Sequence, residues 1–134
     1  QDYQWQHEPV LYGWKPGAAH TWNSDRKQTT IWNFDKPLRN AVHPTMKPIA
    51  LMAYPVGNSS VPGAIVIDFF SGSGSTIMAC QQVDRICYAM EIDPRYADAT
   101  VHRFKTLFKN QPVQLVRDGE TLSVELTAKL LNNE

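Results

Sequence analysis

The chain has 134 residues, 13 Lys+Arg against 13 Asp+Glu, 43% hydrophobic and 19% charged residues. That balance excludes a disordered chain, a membrane span and a strongly basic nucleic-acid glove, and the length suits one globular domain with a real core. Cys80 and Cys87 lack C-x-x-C spacing and the four histidines, His7, His20, His43 and His102, are scattered, so the sequence predicts reduced, buried thiols in a cytoplasmic protein and no metal centre. The sequence starts at Gln1 with no secretory pattern, and is read as a fragment of a longer protein.

Two regions of different character divide this single domain, 1–42 and 43–134. In the first, Trp5, Trp14, Trp22 and Trp32 stand among Tyr3, Tyr12, Phe34 and turn residues. Glu8 to Trp14 reads as a short strand ended by Lys15-Pro16-Gly17, and Gln28 to Phe34 reads as a second strand, with a polar loop from Gly17 to Lys27. Aromatics interleaved with Lys15, His20, Arg26, Lys27, Lys36 and Arg39 fit two descriptions. They suit a surface that stacks on bases and meets phosphates, and equally the packing of core and loops.

From His43 onward the pattern alternates helix and strand. Pro48 suits the first turn of a helix over Ile49 to Tyr54, which Pro55 and Gly57-Asn58-Ser59-Ser60 weaken or end. Ala64 to Phe70 is a β-branched apolar run, the signature of a strand buried on both faces of a parallel sheet. A glycine turn, Ser71-Gly72-Ser73-Gly74, leads into a helix with Ile77, Met78, Cys80 and Val83 on its apolar face. Arg85 to Ile92 makes the next strand. Asp93-Pro94 then starts a helix whose face carries Tyr96, Thr100, Val101, Phe104, Leu107 and Phe108. Val113 to Val116 and Thr121 to Val124, joined by Asp118-Gly119, form a terminal hairpin. The expected class is α/β, a partial Rossmann-like fold with a mostly parallel sheet and flanking helices.

A strand, a glycine turn and a helix, followed by an acid ending the next strand, make a site for a nucleoside-containing cofactor. The glycines let the ligand approach the backbone, the helix start supplies donors, and Glu91 is placed to accept from ribose hydroxyls. Ile77 stands where the third glycine of G-x-G-x-x-G belongs, which disfavours a nicotinamide dinucleotide.

Asp68-Phe69-Phe70-Ser71-Gly72-Ser73-Gly74 resembles the D-x-F-x-G-x-G motif of S-adenosylmethionine-dependent DNA methyltransferases. His43-Pro44-Thr45-Met46-Lys47-Pro48 resembles the H-P-T-x-K-P motif of the amino-methylating group, and Glu91-Ile92-Asp93-Pro94-Arg95-Tyr96 its next motif. The order is that of the β-type arrangement, and Tyr3 to Trp14 and Asp25 to Phe34 are similar to the segment preceding H-P-T-x-K-P in phage-type members. The resemblance implies S-adenosylmethionine as cofactor, with Asp68 among the cofactor-binding residues, Gly72 and Gly74 facing the methionine and ribose portion and Glu91 on the ribose hydroxyls. It places Phe70 and Ile92 as apolar contacts, and Thr45 and Lys47 near the methionine carboxylate. Phe69 stands where proline is common after the aspartate.

The resemblance further implies double-stranded DNA as partner, touched by Lys15, His20, Arg26, Lys27 and Arg39, with adenine N6 favoured over cytosine N4 in a restriction-modification setting. The family's D/N-P-P-Y/F catalytic motif is absent, since no two of the nine prolines are adjacent. Neither cysteine follows a proline, which removes the Pro-Cys nucleophile of cytosine C5 methylation. The expectation is therefore a C-terminal cofactor-binding part, inactive alone, whose catalytic motif lies in a missing N-terminal part. A non-catalytic cofactor- or DNA-binding module acting with a partner chain is the alternative. A parallel sheet cut in this way would expose edge strands and favour self-association.

Overall fold

The apolar run after Pro48 forms the longest structured stretch before the sheet. In the computed structural model, which describes residues 2–4, 6–35 and 46–123, helix α1 spans Ile49–Ser59 with Pro48 at its N-cap and Pro55 inside it. The helix passes the expected break at Pro55 and runs through Gly57 and Asn58. Its terminal carbonyls explain why. Ser60 Oγ donates to Val56 O at 2.5 Å, Asn23 N donates to Asn58 O at 2.6 Å, and Arg85 Nη2 donates to Ser60 O at 2.6 Å. Groups that would otherwise be orphaned at a helix end are thus paired, and packing of α1 on the next helix offsets the bond that proline removes.

Strand β1 (Ile65–Asp68) and strand β2 (Ile86–Ala89) pair in parallel, Ile65 opposite Ile86 and Asp68 opposite Ala89, and helix α2 (Ser75–Gln82) connects them. Both strands are shorter than the sequence suggests. Backbone bonds from Met90 N to Asp68 O (2.9 Å) and Ser71 N to Met90 O (3.0 Å) continue the pairing beyond them, up to the glycine turn. Met78, Ala79 and Cys80 of α2 are fully buried and form the core. Cys87 is half-buried and shares a thiol hydrogen bond with Cys80; burial raises the pKa of both, that of Cys87 to about 12. Two free, protonated thiols therefore stand where small buried hydrophobes were expected, Cys80 more completely than Cys87.

The expectation of a strand covered on both faces is corrected by the sheet itself. Val66, Asp68, Cys87 and Ala89 are half-buried, whereas Ile65, Ile67, Ile86 and Tyr88 on the alternate positions are between 50% and 61% exposed. Among the described residues α2 packs against β2 and α1 packs on α2, and the exposed alternate positions leave one face of this two-stranded sheet uncovered. A continuous apolar run had implied two covering layers.

Helix α3 (Pro94–Leu107) starts as its sequence requires, with Pro94 in the first turn and Asp93 as N-cap, its carboxylate accepting from Arg95 N at 2.9 Å. The Arg95 guanidinium beside Asp93 holds that carboxyl below its ordinary pKa. Ala97, Thr100, Val101, Phe104 and Phe108 are half-buried, while Tyr96 and Leu107, expected on the same face, are exposed. Beyond it, β3 (Gln114–Arg117) and β4 (Glu120–Ser123) make an antiparallel hairpin. Asp118 and Gly119 have φ of 53° and 82°, the pair of left-handed residues a two-residue type I′ turn demands.

Residues 6–35 contain no strand, which corrects both strands expected in the first region. Neither stretch has a pairing partner among the described residues, and side chains fasten the segment instead. Tyr54 Oη donates to Gln28 Oε1 at 2.5 Å, and the rings of Trp32 and Phe34 meet Tyr54 edge-on at 5.1 and 6.0 Å. Lys15-Pro16-Gly17-Ala18 closes as a turn, with Ala18 N donating to Lys15 O at 3.0 Å and Gly17 at φ 77°.

Candidate functional site

The C-terminal ends of β1 and β2 lie side by side, and the residues singled out in the sequence converge there. Asp68 turns back on its own strand end, its Oδ1 accepting from Phe70 N at 3.0 Å. Gly72 and Gly74 adopt φ of 53° and 74°. The two glycines serve different purposes. A Cβ on Gly72 would meet nothing within 4 Å, so that side of the turn is open to a ligand, whereas a Cβ on Gly74 would lie 2.5 Å from Thr100 Cγ2. The absence of a side chain at Gly74 is thus required by the packing of α3 on the turn.

Glu91 reaches across from the end of β2. Its Oε2 accepts from Gly72 N at 2.7 Å and its Oε1 from Asp93 N at 2.9 Å. One carboxylate therefore ties the glycine turn to the start of α3, and each oxygen keeps a second lone pair for a ligand hydroxyl. Phe70, two residues before Gly72, and Ile92, next to Glu91 in sequence, are 91% and 98% exposed. An open glycine backbone, a fixed carboxylate and two exposed apolar side chains fit a ligand with a sugar and an apolar ring.

Lys47 Nζ forms an ion pair with Glu8 Oε2 at 2.5 Å, so in this structure its ammonium is engaged by the first region. Its backbone is nevertheless at the site, because Ser75 Oγ donates to Lys47 O at 2.9 Å. Thr45 lies outside the described residues, as do Lys36, Arg39 and His43.

Two residues that the sequence reading did not place at the site belong to it. Thr100 Oγ1 donates to Gly72 O at 3.1 Å, and Arg103 Nη1 donates to Ser73 O and Ser75 Oγ, each at 3.0 Å. Partial burial lowers the pKa of this guanidinium from its ordinary value. The signal was present in the spacing. Thr100 and Arg103 are one helical step apart, which puts both on the same side of α3.

Apart from this site, Tyr12, Trp14, His20, Trp22, Asp25, Arg26 and Gln28 line an open cleft of about 420 Å³ in the first region, which thus carries one acid beside its cations. The Trp14 and His20 rings stack with centroids 4.4 Å apart, and Tyr12 Oη lies 2.7 Å from His20 Nε2. Of the expected DNA contacts, His20 and Arg26 are therefore together, Lys15 belongs to the turn before them, and the Lys27 backbone N–H is held by Asp25 Oδ1 at 2.9 Å. No helix among the described residues is long and apolar enough to cross a membrane, and no group of three metal-ligating side chains occurs among them.

The N6/N4 DNA methylase family profile matches residues 1–102. The chain is 37% identical over 81 residues to the type II methyltransferase M.Cfr9I of Citrobacter freundii, covering 60% of this chain and 27% of that protein. It is 32% identical over 95 residues to the type II methyltransferase M.SmaI of Serratia marcescens, covering 69% and 32% respectively. The chain thus spans about a third or less of the length of these two relatives. Among solved structures, the M1.HpyAVI-SAM complex superposes with a TM-score of 0.56 at 28% identity, covering 64% of this chain and 44% of that one. With its α/β turn-and-carboxylate site and a profile match over most of its length, the chain belongs to the N6/N4 DNA methylase family.

Proposed function

We propose that this chain is the S-adenosylmethionine-binding part of a DNA amino-methyltransferase, whose catalytic motif is contributed by polypeptide outside it. The observation that carries this reading is the glycine turn held by Glu91, with open space at Gly72 and exposed apolar side chains at Phe70 and Ile92. When bound, the cofactor supplies a methyl group activated on a sulfonium. Glu91 would accept from the ribose hydroxyls through its remaining lone pairs. Gly72 would allow close approach of the backbone, Asp68 and Gly74 would shape the turn, and Phe70 and Ile92 would cover the apolar part of the nucleoside. Thr45 and Lys47 are assigned to the methionine carboxylate, which requires Lys47 to exchange Glu8 for the ligand; both partners of that pair are substantially exposed, so little is lost.

DNA is assigned to the first region, through Lys15, His20, Arg26, Lys27 and Arg39. The aromatic cleft, with His20 and Arg26 in its lining, supports this part of the reading. Adenine N6 is kept as the target over cytosine N4. Loosening the amine's lone pair from the ring needs acceptors of the D/N-P-P-Y kind, which this sequence lacks, so positioning of the cofactor is this chain's share of the reaction. The sheet face at Ile65, Ile67, Ile86 and Tyr88 and the outer edges of β1 and β2, which no described residue covers, are where the catalytic polypeptide would add its layers. Without it, the same edges favour self-association.

Incubation with DNA and methyl-labelled cofactor tests the reading. The chain alone should transfer no label, and addition of a polypeptide carrying D/N-P-P-Y from a relative should restore transfer, recovered as N6-methyladenine after hydrolysis. Label incorporated by the chain alone would refute the division of labour.

A further inference from the structure

We infer that Thr100 and Arg103 are positioning residues that clamp the glycine turn from α3 and hold it in its ligand-ready shape before any cofactor arrives. The inference rests on the cofactor reading above and extends it to a helix that touches no part of the expected ligand.

The turn is built from residues that prefer freedom. Ser71-Gly72-Ser73-Gly74 contains two left-handed glycines, and glycine loses more conformational entropy on ordering than any other residue. Its own backbone supplies little restraint: Gly74 N donates to Ser71 O at 2.9 Å, and Met78 N donates to Gly74 O at 3.0 Å as α2 begins. The remaining restraints come from outside. Glu91 takes the Gly72 N–H, Thr100 Oγ1 takes the Gly72 carbonyl, and Arg103 takes the Ser73 carbonyl and the Ser75 hydroxyl. Both polar groups of Gly72 are therefore held, one from β2 and one from α3.

The fit is steric as well as polar. Thr100 approaches Gly74 so closely that a Cβ there would sit 2.8 Å from Oγ1 and 2.5 Å from Cγ2, so the threonine reads the absence of a side chain at 74 while its hydroxyl holds 72. Arg103 adds a charge-assisted bond to a carbonyl, stronger than a neutral one. Its second acceptor, Ser75 Oγ, in turn donates to Lys47 O. The clamp thus runs from α3 through the turn to the segment before α1, joining three separate stretches of sequence at the glycine turn.

Four variants of the chain separate the clamp from bulk stability. Thr100→Val keeps the shape and removes the hydroxyl, and Thr100→Ser keeps the hydroxyl. Arg103→Met keeps the stem, and Arg103→Lys keeps the charge without the planar fork. Hydrogen exchange at the Gly72 and Gly74 amides, measured without cofactor, should accelerate about tenfold in Thr100→Val and Arg103→Met, while the amides of the β1–β2 ladder change little. Calorimetric titration with S-adenosylmethionine should show affinity falling about 3- to 10-fold in the same two variants. Thr100→Ser, which keeps the hydroxyl but loses the methyl group packed on Gly74, should recover most of the loss, and Arg103→Lys should recover only part of it. Unchanged exchange at the turn, acceleration spread evenly over all elements, or no recovery in Thr100→Ser would overturn the clamp. Absence of cofactor binding by the unaltered chain would refute the cofactor reading instead, and the exchange pattern would still decide the clamp.

Discussion

Replacing each glycine of the turn by alanine should damage different properties of the chain. At Gly74 two costs add: a φ of 74° that L residues adopt at about 1–2 kcal/mol, and a Cβ 2.5 Å from Thr100 Cγ2 in a contact that cannot yield without moving α3. Overpacking of that kind costs about 1–3 kcal/mol, for a total of about 2–5 kcal/mol. At Gly72 only the conformational cost applies, about 1–2 kcal/mol, because nothing lies within 4 Å of the new Cβ. Urea denaturation followed by far-ultraviolet circular dichroism reads the difference, since all four tryptophans lie in the first region and report poorly on the turn. Gly74→Ala should lower the midpoint well below that of Gly72→Ala, and adding Thr100→Ala should return part of the loss, with a coupling of at least about 1 kcal/mol. Cofactor titration should invert the order of concern: Gly72→Ala, the milder change for folding, places a methyl group in the opening itself. Equal destabilisation by the two substitutions, or strict additivity of Gly74→Ala with Thr100→Ala, would refute the assignment of separate roles.

Met78, with no exposed surface in the middle of α2, should cost about 2–5 kcal/mol when replaced by alanine, read as a lower urea midpoint with little change in slope. A loss below about 1 kcal/mol would mean that α2 does not carry the core. The thiols give a pH dependence of defined sign. Burial raises the folded pKa of Cys87 from 9.0 to about 12, so the stability it contributes is complete below 9.0 and is lost as pH rises from there toward about 12. Denaturation midpoints should fall over that alkaline range and fall less in Cys87→Ala; alkylation of both thiols should be slow in the folded chain at pH 8 and fast in urea. Sedimentation of the isolated chain should show association growing with concentration, through the open edges of β1 and β2. A monomer at every concentration would argue that those edges are protected.

How much of this was legible in the sequence depended on whether the deciding interaction was local. The Asp93 cap with Pro94 behind it, the Asp118-Gly119 turn and the Lys15-Pro16-Gly17 turn were readable because each is determined by a few adjacent residues. The glycine turn and its acid were readable because glycine spacing, a preceding apolar strand and Glu91 coincide in a short stretch. What escaped were features settled by distant partners. Pro55 looked like a helix break because sequence cannot show Arg85 and Asn23 arriving at the carbonyls of the helix end. Glu8 to Trp14 and Gln28 to Phe34 had strand composition, but a strand also needs a neighbour, and nothing described pairs with either. Ile65 and Ile67 looked buried on both faces because their composition anticipates layers that residues 46–123 do not provide. The contact of Gly74 with Thr100 escaped because it joins two helices that only the fold brings together.

The central claim is that this chain carries a formed cofactor site centred on Glu91. Calorimetric titration with S-adenosylmethionine, comparing the chain with its Glu91→Ala variant, tests it most directly. Removing the carboxylate frees the Gly72 and Asp93 N–H groups as well as the ligand's hydroxyls. Saturable one-to-one binding by the unaltered chain, weakened by about 1–3 kcal/mol or roughly 5- to 150-fold in the variant, is the predicted result. Equal affinity for the two chains, or no saturable binding by the unaltered one, would contradict it.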